Sequence, residues 1–244
     1  MPGIDAFALL GAAHWTTTDA ERLQRAQQRA RFDLMIVASR RALAGDVATG
    51  NAEVRAVLDA NPQMRGWVVI NPSYPERSAE DMRRALAGPK WVGAVLDVTS
   101  STDSLVSSST RELITAFRRY TKPLYVRVPS SRQVLDLEAL ATEFNTVKII
   151  AGGAGGDDWH ACMLAAKRQT NLFLEPFSGG VHRGKLEGIL TTLGAHRVLF
   201  ASNYPDQNPG HALGLLVESS LSDADKQTIL TTSAARLFGL QRPA

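Results

Sequence analysis

Short apolar runs alternate with longer segments whose apolar residues recur every three or four positions, and the alternation persists from residue 4 to residue 238. The short runs are Ile4 to Leu10, Leu34 to Ser39, Gly66 to Asn71, Val92 to Val98, Pro123 to Val128, Val147 to Ala151, Asn171 to Phe177 and Val198 to Asn203. They are continuous rather than alternating, which suits parallel strands covered on both faces. The helical stretches between them are Asp19 to Arg31, Asn51 to Ala60, Ala79 to Ala87, Thr110 to Tyr120, Leu135 to Phe144, Trp159 to Gln169 and Lys185 to Leu193, with Leu213 to Ser219 and Asp223 to Phe238 trailing. Thr18 is placed to cap the first, and Asn61-Pro62 ends the second, because a residue before proline is pushed out of helical geometry. Eight strands, each trailed by a helix, predict a parallel (β/α)8 TIM barrel of the α/β class, as a single domain over residues 1–244. An open doubly wound sheet is the alternative. The run Gly152-Gly153-Ala154-Gly155-Gly156 follows a strand, but it lacks dinucleotide spacing and reads as a tight turn or close backbone approach.

Composition narrows the picture. A chain of 244 residues, 44% hydrophobic and 21% charged, is large enough to fill one such barrel. Neither a charged-then-apolar leader at Met1-Pro2-Gly3 nor an apolar run of membrane-spanning length is seen, so a cytoplasmic protein without membrane contact is expected. Basic residues exceed acidic ones by only three, 27 against 24. They are spread over helices, as at Arg22, Arg25, Arg29, Arg83 and Arg84, which reads as solvated surface and predicts no nucleic-acid partner. Cys162 is the single cysteine; it excludes an internal disulfide and is expected to be a buried, inert thiol.

One stretch carries a more specific signal. Val198-Leu199-Phe200-Ala201-Ser202-Asn203-Tyr204-Pro205 ends an apolar run in small and polar residues, and Leu221-Ser222-Asp223 with the closing Ala234-Ala235-Arg236-Leu237-Phe238-Gly239-Leu240 follow it. Together with Val69-Ile70-Asn71-Pro72-Ser73-Tyr74-Pro75 and Trp91-Val92-Gly93, these resemble the amidohydrolase superfamily, in particular its amidohydrolase-related group of metal-dependent TIM-barrel hydrolases and aromatic-acid decarboxylases. The resemblance spans nearly the whole chain. It implies a metal-binding barrel mouth, and it implies that dimers are common.

The departures from that pattern are informative. Where the family's first strand ends in His-x-His, this chain has Phe7 and Leu9. The strand-four histidine corresponds to Asp97, with Val95 where a lysine is frequent. The strand-five histidine corresponds to Arg127, the strand-six histidine to Gly152 and the strand-eight aspartate to Asn203. An arginine is a fixed cation that repels a divalent ion, and Phe, Leu and Gly offer no lone pair, so no catalytic metal and no other cofactor is expected. The strand ends still bring Asp5, Asp97, Arg127, Glu175 and Asn203 toward one mouth. Asp97 and Glu175 can serve as an acid/base pair or as an oxygen-rich magnesium site, or Arg127 can neutralise one of them in a structural ion pair. His14 and His182 belong to the predicted mouth, whereas His160, His196 and His211 read as surface or capping residues; none is at ligand spacing with another. Ser202 has no histidine placed to activate it. The serine-rich segment Thr99 to Ser109 is the longest loop at a mouth that otherwise has little lid.

Two functions are compatible with these residues. One is a non-catalytic barrel that assembles with itself or, as a hetero-oligomer, with an active barrel paralogue. The other is a metal-independent hydrolase or decarboxylase acting on a small carboxylate ligand, which Arg127 would hold through two parallel hydrogen bonds.

Overall fold

The computed structural model describes residues 3–12, 17–98, 104–180, 182 and 184–240. Seven parallel strands follow one another in chain order: β1 (Gly3–Ala12), β2 (Phe32–Ser39), β3 (Met64–Ile70), β4 (Trp91–Leu96), β5 (Leu124–Arg127), β6 (Ile149–Gly152) and β7 (Leu172–Glu175). A two-residue stub, Thr17–Thr18, pairs antiparallel with the end of β1. Helices cover the outside: α1 (Ala20–Ala30), α2 (Val47–Ala60), α3 (Pro75–Leu86), α4 (Ser108–Phe117), α5 (Ser131–Glu143), α6 (Trp159–Arg168), α7 (Lys185–Leu193) and α8 (Pro209–Glu218). This is a TIM-type α/β barrel. No helix among the described residues is long and apolar enough to cross a membrane.

The eighth strand expected at Val198 to Asn203 is not a regular strand. The segment closes the barrel between β7 and β1 through two isolated parallel bridges, Leu174 with Val198 and Ala8 with Tyr204. Single hydrogen bonds link them: Leu199 N to Leu174 O (2.9 Å), Ala6 N to Phe200 O (3.0 Å), Asn203 N to Phe7 O (3.0 Å) and Leu9 N to Tyr204 O (2.8 Å). The ladder is interrupted because the Ser202 amide donates to the Asp5 carboxylate at 2.8 Å instead of to a strand, and Asn203 takes a left-handed φ of 51°. A register shift between Asp5 and Ala8 marks the same level in β1.

Side chains divide by the two-residue period of the strands. Ile36, Trp67, Val69, Val95, Tyr125 and Ile150 fill the barrel interior. Their strand neighbours, such as Val37, Val68, Ala94, Val126 and Ala151, pack outward against helix residues including Leu23, Val54 and Leu137. Burying a Leu, Val or Ile side chain in this way contributes about 1.5–3 kcal/mol. The C-terminal segment, Asp223–Gln227, a π-helical turn Thr228–Thr232 and Ser233–Phe238, closes the end where the strands start. There Leu230 faces Gly3 and the Phe238 ring meets Trp67 edge-on at 5.4 Å.

Several element boundaries differ from the sequence expectation for identifiable reasons. Asp19, not Thr18, caps α1, accepting from Arg22 N at 2.8 Å. Helix α2 begins four residues before Asn51, because Asp46 caps it. Asn51 is buried within it and pinned to the sheet, receiving Val69 N (2.9 Å) and donating to Val69 O (3.0 Å) and Asp81 (3.1 Å). Pro75 starts α3 at a position that needs no N–H. Strand β7 stops at Glu175, since its carboxylate captures the amides of Phe177 and Ser178 that would have continued the strand. The glycine run forms a tight turn with four consecutive positive φ values from Gly153 to Gly156, Ala154 included.

Candidate functional site

Residues Arg127, Gly152 and Glu175 end adjacent strands in register, so they stand at one level of the barrel mouth. Asp97 follows β4 at the same level. The Arg127 guanidinium donates Nη1 to Asp97 Oδ2 at 2.8 Å, with Asp97 only 4% exposed and Arg127 37% exposed. Its other N–H groups make no protein hydrogen bond among the described residues. Above them lies a cleft of about 290 Å³ lined by Tyr125, Arg127, Gly152, Ser178, Gly179 and Asn203 among others.

Glu175 lies fully buried beneath this cleft, among five donors. It accepts from Tyr125 Oη (2.9 Å), the amides of Gly153 (3.2 Å), Phe177 (2.7 Å) and Ser178 (2.9 Å), and the Ser178 hydroxyl. Burial, reinforced by the neighbouring Glu175, holds the Tyr125 phenol well above its usual range, so it stays a protonated donor. The Tyr125 ring stacks on Phe7 with centroids 4.4 Å apart and planes within 9°. It also takes the space beside Gly152, where an added Cβ would sit 2.3 Å from the ring.

Asp5 is deeper than its sequence position suggested. It is enclosed, accepts from the amides of Phe7 (3.3 Å) and Ser202 (2.8 Å) and from the Ser202 hydroxyl, and does not line the cleft. Burial outweighs these hydrogen bonds and pushes its carboxyl up to about 7. Ser202 is thereby spent on structure, its hydroxyl also accepting from Tyr204 N at 3.1 Å.

The structure therefore gathers Asp97, Arg127, Glu175 and Asn203 around one mouth and leaves Asp5 below it. His182 stands at the rim, 3.3 Å from Asp157, which lines the cleft; His160 stacks on Trp159 away from it. His14 and residues 99–103 of the serine-rich loop lie outside the described residues. Sequence reasoning missed Tyr125, whose signal was its place two residues before Arg127, on the same inward face. It also missed Lys185, a fully buried amine that donates to Gly180 O (2.6 Å) and Pro176 O (3.3 Å) and ties down the loop after β7. Burial lowers the pKa of that amine and raises that of the Cys162 thiol to about 12, which leaves Cys162 an inert neutral group.

The amidohydrolase family model matches residues 16–240. The chain belongs to this family. Among amidohydrolase relatives, a gamma-resorcylate decarboxylase from Rhodococcus jostii is 37% identical over 82 residues, a stretch that spans 32% of this chain and 25% of that enzyme. A dihydroxybenzoic acid decarboxylase from Polaromonas sp. JS666, solved with manganese and 2-nitroresorcinol, superimposes with a TM-score of 0.78 at 18% identity, covering 99% of this chain and 98% of the other. A 5-carboxyvanillate decarboxylase from Sphingomonas paucimobilis gives 0.76 at 15%, covering 98% and 99%. At such identities the two solved structures show a common fold.

A divalent metal is the cofactor that the amidohydrolase pattern implies, and the described residues at this mouth do not fit one. Phe7 and Leu9 are buried apolar side chains, Gly152 has no room for an imidazole, Asp97 is engaged by a fixed cation, and Glu175 is committed to five donors. Among the described residues no three His, Cys, Asp or Glu side chains come together in a way that could hold a metal ion.

Proposed function

We propose that this chain is a metal-independent member of the amidohydrolase family that takes a small carboxylate, of the aromatic-acid class, at the barrel mouth and decarboxylates or hydrolyses it. The observation that carries the reading is Arg127: a guanidinium at a strand end, lining the cleft, with one edge held by Asp97 and other N–H groups without a hydrogen-bond partner among the described residues. Such a fork matches a carboxylate in two parallel hydrogen bonds. The relatives that act on aromatic acids support the same substrate class. In a decarboxylation the bond to the carboxylate carbon breaks, its electron pair stays on the ring carbon, and that carbon takes a proton. Carbon dioxide leaves through the open cleft, and because the cleft-lining hydroxyls of Tyr125 and Ser178 give their protons to Glu175 in hydrogen bonds, the ring carbon takes its proton from solvent.

The test follows loss of gamma-resorcylate and of 5-carboxyvanillate by absorbance, with and without EDTA. Turnover that survives chelation and falls at least about a hundredfold in Arg127→Ala is expected, since removing a bidentate charged partner costs about 3 kcal/mol. Arg127→Lys keeps the charge that balances Asp97 but loses the fork, so its deficit separates substrate binding from folding. Turnover abolished by EDTA, or unchanged in both variants, overturns the reading.

The engagement of Asp5, Asp97 and Glu175 favours a second reading, a non-catalytic barrel that assembles with itself or with an active paralogue. Absence of binding and turnover for both acids, with a stable oligomer by native mass, would select it.

A further inference from the structure

A second cavity lies away from the mouth, on the flank between α1 and the segment that leads into α8. It measures about 620 Å³ and is lined by Arg22, Arg25, Arg29 and Arg31, with no carboxylate in the lining among the described residues. Residues 22, 25 and 29 fall on one helix face, and Arg31 joins them because the chain leaves α1 through a left-handed residue there, with φ 58°. The arginines that looked scattered along the sequence are thus gathered by the fold. Arg25 has the exposed partner Glu21 at 2.7 Å, while Arg29 and Arg31 have neither an ion pair nor a side-chain hydrogen bond among the described residues. The acidic residue nearest in sequence to the opposite wall, Asp206, is turned to Arg40 at 2.6 Å. Ala26, Ala30 and Leu213 supply apolar surface, and Tyr204 and Pro205 form part of the wall.

We propose that this groove is a binding site for a phosphate-bearing small molecule of nucleotide size, the arginines taking the phosphates and the apolar surface taking its body. Arg25 is balanced by Glu21 and Arg22 donates to the Thr17 carbonyl at 2.9 Å, so the repulsion that an anion would relieve is centred on Arg29 and Arg31, where the anion also gains charge-assisted hydrogen bonds. A volume of 620 Å³ falls within the range of small-molecule sites. The segment Asn203 to Gln207 borders both places. Asn203 lines the mouth cleft, Tyr204 and Gln207 line the groove, and Gln207 donates to the carbonyl of Ser178 at 3.4 Å. The site stands on residues independent of the proposed reaction.

Calorimetric titration with ADP, pyrophosphate and adenosine at about 150 mM salt tests it. Saturable binding of ADP and pyrophosphate, none of adenosine, and a Kd raised about tenfold or more for ADP in Arg29→Gln/Arg31→Gln are expected. Neither arginine side chain has a hydrogen-bond or ion-pair partner among the described residues, so the variant is expected to remain folded, and Arg127→Ala retains ADP binding. The control Arg83→Gln/Arg132→Gln, which removes two exposed arginines elsewhere, leaves Kd within about twofold. No saturable binding of ADP, equal losses in the two double variants, or tighter binding of a single-stranded oligonucleotide than of ADP overturns the proposal.

Discussion

Asp5 is a carboxyl held protonated by its surroundings. In the unfolded chain it ionises near 3.8, whereas folded it keeps its proton to about 7. Below pH about 4 both states are protonated and its contribution to stability is fully present. As pH rises toward 7 the unfolded chain sheds a proton that the native state retains, so stability falls by up to about 1.4 kcal/mol per pH unit, then levels off. Asp5→Asn keeps an acceptor for the Ser202 amide and a donor in place of the acid proton, but it does not titrate. Urea unfolding at pH 4, 6 and 8 is expected to show wild type losing about 4 kcal/mol relative to Asp5→Asn across this range. Parallel pH profiles for the two proteins would show that Asp5 ionises normally. Candidate site residues were legible in the sequence wherever a polar group ended an apolar run, as at Asp97, Arg127, Glu175 and Asn203. Their partnerships were not, because the Tyr125 contact with Glu175 joins residues 50 apart in sequence.

Between elements, Asn51 does what no periodicity can reveal. It links α2 to β3 and α3 by satisfying both backbone groups of Val69 and one oxygen of Asp81. Read as a sequence, a polar residue ahead of an apolar stretch marks a helix start; in the structure it is buried mid-helix, and the start moves back to the Asp46 cap. Asn51→Ala strands a buried N–H and a buried carbonyl, and it is expected to cost about 2–4 kcal/mol, measured as a lower urea midpoint at unchanged slope. A loss within about 0.5 kcal/mol would mean that water or a neighbour replaces the amide. Strand and helix order could be read from hydrophobic pattern throughout, because each parallel strand is buried on both faces. The eighth closure could not, since a run as apolar as Val198 to Ala201 gives no hint that Asp5, nearly 200 residues away, takes the amide of Ser202.

At the scale of the molecule, the barrel is plugged at the strand-start end by its own last helical segment, where Ala234, Leu237 and Phe238 pack against the interior cluster. A chain ending at Ser222 would expose that end to water. It is expected to lose cooperative thermal unfolding and to bind a hydrophobic dye, as a barrel with an open floor must; a sharp transition within about 5 °C of the full chain would show that the plug is dispensable. The opposite end is constrained by the contact between Gly152 and Tyr125. No side chain fits at residue 152 while that phenol is present, and replacing the phenol unstacks Phe7 and removes one of five donors from a buried carboxylate. Enlarging residue 152 alone or trimming residue 125 alone is therefore costly, which couples the two positions so that they change only together.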